Sequence, residues 1–137
     1  MREDSFMAIY PSSDQIQALV SDSHEGPVVM VNLLRFKPKA DSPEDDLSGE
    51  EAYQRYANEM VPFVRSKGGR VIWTGRVSSQ VIGTGGEEFH TVAVVEYPSR
   101  KAFVEIALDP YVAKIGKHRA AGLEMQWLLA TTTQAQP

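Results

Sequence analysis

Four strand-like runs with apolar side chains on both faces constrain this chain more than any other feature. The runs are Val28–Leu34, Val71–Trp73, Thr91–Val95 and Leu123–Leu129. A sheet with one face in water usually alternates apolar and polar residues, and these runs mostly do not. The helical segments between the runs suffice to cover only one face of a sheet. We therefore expect a second chain on the other face, and another copy of this chain is the simplest candidate.

Composition and charge exclude several classes of protein. The 137 residues fit one domain, 1–137, with a substantial core, and 42% apolar with 23% charged residues is typical of a soluble protein. A net charge of −4 argues against a general nucleic-acid binder, and the lack of cysteine excludes disulfides and a cysteine nucleophile. No apolar run approaches the ~20 residues of a membrane span, and no signal peptide is evident. We expect a cytoplasmic protein.

Turn residues and hydrophobic periodicity divide the chain into elements. The N-cap residues of the run Pro11–Asp14 (PSSD) and the helical spacing of Ile16, Leu19 and Val20 predict a helix inside an N-terminal extension, residues 1–26. Ser48 and Glu51 form a capping box at the start of a longer helix. The other predicted elements are a strand from Val28 to about Arg35, a strand from Arg70 to about Ile82 bulged near Gly75, a strand from His90 to Tyr97, helical segments opened by Pro98-Ser99 and Asp109-Pro110, a strand from Leu123 to Thr131, and a frayed tail, 132–137.

The order of the main elements predicts the fold class. After the N-terminal helix the order is strand, helix, strand, strand, helix, strand, which is the split βαβ pattern of ferredoxin-like α+β domains. We expect a four-stranded antiparallel sheet with both main helices on one face. Two such sheets packed face to face would make a homodimeric α/β barrel.

The segment 36–47 is long for a connection in a compact domain. It contains two prolines, a basic start and an acidic end. Loops of about a dozen residues are usually lids, binding loops or disordered segments. We expect a flexible loop, and the sequence leaves open whether it is a lid or is disordered.

Five strings, in order along the chain, resemble a known family. They are Pro27–Phe36 (PVVMVNLLRF), Gly68–Val71 (GGRV), Tyr97–Arg100 (YPSR), Asp109–Tyr111 (DPY) and His118–Leu123 (HRAAGL). Together they resemble domain-of-unknown-function family 1330, a bacterial family of the dimeric α/β-barrel superfamily, over nearly the whole chain. The resemblance implies two ferredoxin-like protomers whose sheets pack into a barrel.

Relatives in that superfamily are chemically diverse. They include cofactor-free monooxygenases, lactone isomerases, haem-dependent chlorite-degrading enzymes and ligand-binding modules. The resemblance therefore implies a small-molecule pocket without naming the molecule. One position departs from the pattern: before the third strand, where similar sequences often carry Trp-Asp, this chain has Phe89 and His90. Any role of an acid there cannot be carried over to this chain.

Two polar residues on apolar faces are candidate substrate-binding residues. Asn32 interrupts the first strand, and it could anchor a ligand or satisfy a neighbouring strand end or loop. Arg119 shares a helix face with Tyr111 and Ile115, where it could recognise a carboxylate or enolate-like oxygen. Alternatively, it could bind the last carbonyls of its own helix and complement the helix dipole.

Histidines and aromatic residues complete the candidate set. His118 and His90 are the candidate catalytic residues, because imidazole titrates near neutral pH, although each could be structural or solvated. Tyr56, Trp73 and Tyr111 are candidate substrate-binding residues, although aromatic residues at such spacing are more often core. No histidine pair has the spacing of a helical metal site, and no haem signal is present. We expect no metal and no cofactor.

Two functions remain open from the sequence. The first is a homodimeric binder of a small, partly apolar organic acid or carbonyl compound, which could be a cofactor-free monooxygenase-like or isomerase-like enzyme. Its pocket would lie between sheet and helices under segment 36–47. The second is a non-catalytic ligand-binding, interaction or regulatory module. No nucleophile or dinucleotide motif decides between enzyme and non-enzyme.

Overall fold

The computed structural model describes residues 7–134. Residues 1–6 of the predicted N-terminal extension and residues 135–137 of the predicted tail lie outside the described residues. The helices and strands are α1 (Ser13–Ser21), β1 (Val28–Phe36), α2 (Gly49–Ser66), β2 (Arg70–Arg76), β3 (Thr91–Tyr97), α3 (Arg100–Ala107), α4 (Pro110–Gly122) and β4 (Leu123–Thr131), with a short 3₁₀ turn at Gly86–Glu88.

The four strands form one antiparallel sheet in the order β2-β3-β1-β4. Strands β1 and β3 are central, and β2 and β4 are at the edges. This order is the split βαβ arrangement, because β1 and β3 pair although a helix and a strand separate them in sequence. The predicted α+β class, the antiparallel sheet and the additional N-terminal helix are confirmed.

The second strand is shorter than the sequence predicts. It ends at Arg76 instead of Ile82, after which Val77 donates one more backbone hydrogen bond to His90. Val81 and Ile82 are 86% and 88% exposed, so these β-favouring residues have no strand beside them to pack against. The predicted bulge near Gly75 is also misplaced, because the register shifts between Val71 and Trp73.

A close approach of two glycines fixes how α2 and α4 cross. A Cβ atom on Gly122 would lie 2.2 Å from the carbonyl oxygen of Gly49, and one on Gly49 would lie 2.1 Å from the carbonyl oxygen of Lys37. No side chain fits at either position, so the start of α2 can touch the end of α4. The Ser48–Glu51 capping box, confirmed by both of its hydrogen bonds, begins α2 at this crossing.

The core lies on one face of the sheet, under the helices. Met30 and Val28 of β1 pack with Val64 of α2, Ile106 of α3 and Tyr97 of β3. Alternate residues of a strand point to opposite faces, so the even-numbered residues of β1 face the helices. A second buried cluster joins Leu34, Phe36 and Leu123 at the other end of that face.

The opposite face carries apolar side chains across its whole width. Trp73, Val94, Val31 and Leu129 are register partners in β2, β3, β1 and β4, so they form one row across the four strands. Trp73 is 57% exposed and Leu129 is 50% exposed. Both faces of this sheet are therefore apolar, as the strand patterns predict.

No helix within residues 7–134 combines the length and the apolar character that crossing a membrane requires.

Candidate functional site

Two amides hydrogen-bond to each other on the helix-covered face of the sheet. Asn32 of β1 donates from Nδ2 to the carbonyl oxygen of Ala93, at 3.1 Å. Its Oδ1 accepts a hydrogen bond from Nε2 of Gln126 on β4, at 2.7 Å. These bonds fix the orientation of both amides, and they leave Oε1 of Gln126 pointing toward a further donor.

That donor is the guanidinium of Arg119, near the end of α4. Its Nη2 atom donates to Oε1 of Gln126 at 2.6 Å and also to the backbone carbonyl of Ile9. Arg119 therefore binds a carbonyl of another segment and not the last carbonyls of its own helix. No ion pair between residues 7–134 includes Arg119, so its described partners are neutral oxygens.

The segment 7–10, which we call the strap, runs beside β4 and covers this arginine. The carbonyl oxygen of Ala8 accepts a 2.9 Å hydrogen bond from the amide of Gln126, and the ring of Tyr10 lies 5.1 Å from the Cζ atom of Arg119. The side chain of Ile9 packs against the buried cluster of Leu34, Phe36 and Leu123. The strap thus closes one side of the polar group.

Two tyrosines, Tyr53 and Tyr56, lie near the same arginine, and Tyr97 interacts with both of them. Burial raises the pKa of Tyr53, Tyr56 and Tyr97 above the usual value near 10. At Tyr53 and Tyr56 the charge of Arg119 acts in the opposite direction, which places that charge within electrostatic range of both phenols. The rings of Tyr53 and Tyr56 are 5.4 Å apart. An arginine between neutral phenols and amides can bind an oxygen anion in a setting of low polarity.

His118 lies one residue before Arg119 but belongs to a different group. Its Nδ1 atom is 2.7 Å from Oε1 of Glu44, and Arg55 approaches the same oxygen at 3.8 Å. Glu44 is buried, although it lies in the connection between β1 and α2. Because an ionised carboxylate only accepts, this contact requires a proton on Nδ1, and in a neutral imidazole Nε2 then has the lone pair. His118 is therefore oriented as a base, with a carboxylate behind it.

His90 has the opposite arrangement. Its Nδ1 atom accepts a 3.0 Å hydrogen bond from the backbone amide of Phe36, and the two rings stack 5.8 Å apart. A neutral imidazole that accepts at Nδ1 carries its proton on Nε2. In this arrangement His90 can donate a hydrogen bond but cannot accept a proton.

The connection between β1 and α2 is bonded to the end of α4. The backbone amide of Lys37 donates to the carbonyl oxygen of Gly122 at 2.8 Å, and that of Asp41 donates to the carbonyl oxygen of Ala121 at 2.9 Å. Ala40 is buried against Ala52 and Ala121. This connection contacts α4 through His118 and the helix end, whereas the strap is the segment that contacts Arg119.

The remaining candidates lie apart from the polar group. Trp73 is on the opposite face of the sheet, where its ring covers Gly75 so closely that a Cβ there would lie 2.3 Å from the ring. Tyr111 is at the start of α4, two turns from Arg119, and its ring is 5.1 Å from that of Phe63. Of the predicted site residues, the structure brings together Asn32, Arg119 and Tyr56.

Sequence reasoning missed the strap and two polar side chains of this region. Gln126 joins Asn32 to Arg119, and Glu44 orients His118. Gln126 carried the same signal as Asn32, since it is an amide in a largely apolar strand. Glu44 carried no signal, because it is one of three successive acids in the connection. Within residues 7–134, no three His, Cys, Asp or Glu side chains converge to hold a metal ion.

Comparison with protein-family models identifies one family. The model described as "Domain of unknown function (DUF1330)" matches residues 45–133, well over half of the chain. The chain belongs to the DUF1330 family. The predicted resemblance is confirmed, and the matched region includes Tyr56, Arg119 and Gln126 but neither the strap nor Asn32.

Solved structures agree with this assignment. The DUF1330 chain is similar to the RPA0582 protein of unknown function from Rhodopseudomonas palustris, with 34% identity, a TM-score of 0.85, and coverage of 93% of this chain and 98% of that one. The methylated form of RPA0582 matches with 33% identity, the same TM-score, and coverage of 93% and 96%.

A more distant match shows the fold alone. A dabb family protein with a ferredoxin-like fold from Mesorhizobium loti is 13% identical, with a TM-score of 0.53, and the match covers 81% of this chain and all of that one. The predicted ferredoxin-like fold is confirmed. No curated protein matches the chain.

Proposed function

We propose that this protein is a homodimer that binds a small, partly apolar organic acid or carbonyl compound beside Arg119. One observation carries the proposal: the guanidinium is half-buried between phenols and amides, and its partners among the described residues are neutral oxygens. An arginine is always charged in proteins, and a carboxylate is its preferred partner. Gln126 and Asn32 would orient the ligand oxygens, and Tyr56 would contact the ligand body.

The proposal includes a catalytic option. His118 would be the base of a cofactor-free reaction, with Glu44 holding its ring, because a neutral imidazole that donates from Nδ1 has its lone pair on Nε2. His90 would serve as a donor in the same scheme. Arg119 and His118 are adjacent on α4 and point to different partners, so binding is the more strongly supported part of the function.

The homodimer is supported by the uncovered face of the sheet. The row Trp73, Val94, Val31 and Leu129 is apolar and half-exposed in a single chain. Burial of apolar surface contributes about 25 cal/mol per Å², so a second copy of the same face would stabilise the protein strongly. A self-complementary face is what a two-fold dimer requires. Trp73 would then lie at the interface.

Titration with sodium benzoate tests the proposed site. We expect saturable binding to the wild type by isothermal calorimetry. Arg119→Gln keeps hydrogen-bond donors but removes the charge, and we expect at least a tenfold loss of affinity, about 1.4 kcal/mol. Arg65→Gln, in the exposed last turn of α2, is the matched control and should bind like the wild type. Equal affinity of Arg119→Gln and Arg65→Gln would remove Arg119 from the site.

One observation favours the second candidate, a non-catalytic interaction or regulatory module. The hydrogen bonds among Asn32, Gln126, Arg119 and the Ile9 carbonyl satisfy one another, as they would in a purely structural network. A network of this kind needs no ligand. Absence of binding across carboxylates and carbonyl compounds, with Arg119→Gln strongly destabilised, would favour this reading.

A further inference from the structure

The strap presents a carbonyl group and a branched apolar side chain to the proposed site. The Ile9 carbonyl accepts from Nη2 of Arg119, and the Ile9 side chain enters the cluster of Leu34, Phe36 and Leu123. Tyr53, one of the phenols near Arg119, packs against the same cluster. Ile9 therefore joins the polar and the apolar part of the site in a single residue.

Within residues 7–134, few contacts hold the strap in place. Tyr10 is 63% exposed, and α1, which follows the strap, has no buried residue. Gln126 donates one backbone hydrogen bond to Ala8, whereas the core strands are hydrogen-bonded along their whole lengths. Segments with few buried contacts and few backbone hydrogen bonds open at low free-energy cost. Release of the strap would uncover Arg119 without disturbing the sheet.

We propose that the strap is a built-in competitor and that the ligand is a short branched-chain carboxylate shaped like Ile9. This inference rests on the proposed function. The carboxylate would replace the Ile9 carbonyl at Arg119, and the branched alkyl group would replace the Ile9 side chain in the cluster. A carboxylate binds a guanidinium more strongly than a neutral carbonyl does, so it can displace the strap.

The closing experiment uses the full chain and sodium 3-methylpentanoate, which has the carbon skeleton of isoleucine from the carbonyl to the side-chain end. A competitor in the same molecule lowers apparent affinity by the fraction of time the site is open. Ile9→Ala weakens the strap, and we expect it to bind 3-methylpentanoate about tenfold more tightly than the wild type. Ile16→Ala, on the exposed side of α1, is the control and should leave the affinity unchanged.

Hydrogen exchange gives a second readout of the same event. The Gln126 amide donates to Ala8, so 3-methylpentanoate should accelerate its exchange in the wild type. The Val77 amide, which donates to His90 at 2.9 Å, should not change. Acetate, which lacks the branched group, should neither bind more tightly to Ile9→Ala nor accelerate exchange of the Gln126 amide at the same concentration.

The outcomes separate this inference from the proposed function. Tighter binding by Ile9→Ala, together with faster Gln126 exchange, supports both. If benzoate binds but Ile9→Ala does not change the affinity for 3-methylpentanoate, the proposal that the strap competes is wrong while the proposed function stands. Slower exchange of the Gln126 amide in the presence of 3-methylpentanoate leads to the same conclusion. If neither benzoate nor 3-methylpentanoate binds to the wild type or to Ile9→Ala, both the proposed function and the proposal that the strap competes are wrong.

Discussion

The side-chain amides of Gln126 and Asn32 meet at 2.7 Å across the boundary between β4 and β1, with the glutamine as donor. Each then bonds onward, Asn32 to the backbone of Ala93 and Gln126 to Arg119. Polar groups on an otherwise apolar sheet face are stable only while such bonds persist. This pair therefore links the stability of the sheet to the position of the arginine.

Asn32→Leu should destabilise the protein. The substitution keeps a side chain of similar size but leaves Nε2 of Gln126 without its acceptor, which costs about 1–3 kcal/mol. Urea unfolding measures the change in free energy. Asn58→Leu, on the exposed side of α2, is the matched control and should lie within about 0.5 kcal/mol of the wild type. Equal stability of the two variants would show that the amide pair contributes nothing.

Glu44→Leu should loosen the connection between β1 and α2. It removes the acceptor of His118 and the carboxylate near Arg55, and a buried donor left unpaired costs about 1–3 kcal/mol. We expect faster hydrogen exchange at the amides of Ala40 and Asp41, which hold this connection. Asp45→Leu changes the exposed neighbour and should leave both rates unchanged. Unchanged rates in Glu44→Leu would contradict a structural role for the pair.

Asp22→Ala should destabilise the protein by leaving the buried charge of Arg100 uncompensated. Arg100 is 8% exposed, its Nε and Nη1 atoms have no partner within residues 7–134, and Nη2 lies 3.5 Å from Asp22. Removing the carboxylate leaves a buried cation without compensation. Since Asp22 itself is partly exposed, we expect a loss of about 1–2 kcal/mol, below the range for fully buried pairs. Thermal unfolding of Asp22→Ala against the exposed Asp14→Ala gives the comparison.

The buried tyrosines should make the protein unstable in alkali. Burial raises the folded-state pKa of Tyr53, so above pH 10 the unfolded chain loses the phenolic proton first. The contribution to stability is complete below pH 10 and falls as the pH rises. Tyr53→Phe removes this titration, so its unfolding free energy should decline less steeply between pH 9 and 11. A decline as steep as that of the exposed Tyr111→Phe control would argue against the buried phenol.

Much of the fold follows from local patterns. Strand β4 has the predicted bounds, because Gly122 ends α4 and the apolar run begins at once. The capping residues Ser48 and Asp109 begin their helices as predicted. The end of β2 was not predictable from local sequence, because Val81 and Ile82 favour strands. Strand β2 ends at Arg76 because its partner strand β3 begins at Thr91, which pairs with Arg76 and leaves the later residues without a strand partner.

The candidate site was predictable only in part. Asn32 and Arg119 could be found because each is polar on an apolar stripe, and the structure links them through Gln126. Trp73 could not be placed, because the register shift at Ile72 decides which face its ring occupies. The strap contacts Arg119 and Glu44 contacts His118, and in both cases the partners are distant in sequence. Local periodicity carries no information about such contacts.

Sedimentation equilibrium tests most directly the proposal that a second copy covers the bare face of the sheet. At micromolar concentration we expect the wild type to have twice the mass of the 15.2 kDa chain. Val31→Lys, in the centre of that face, should shift the mass toward one chain, whereas Ile16→Lys on α1 should not. A folded wild-type protein with the mass of a single chain would contradict the proposal.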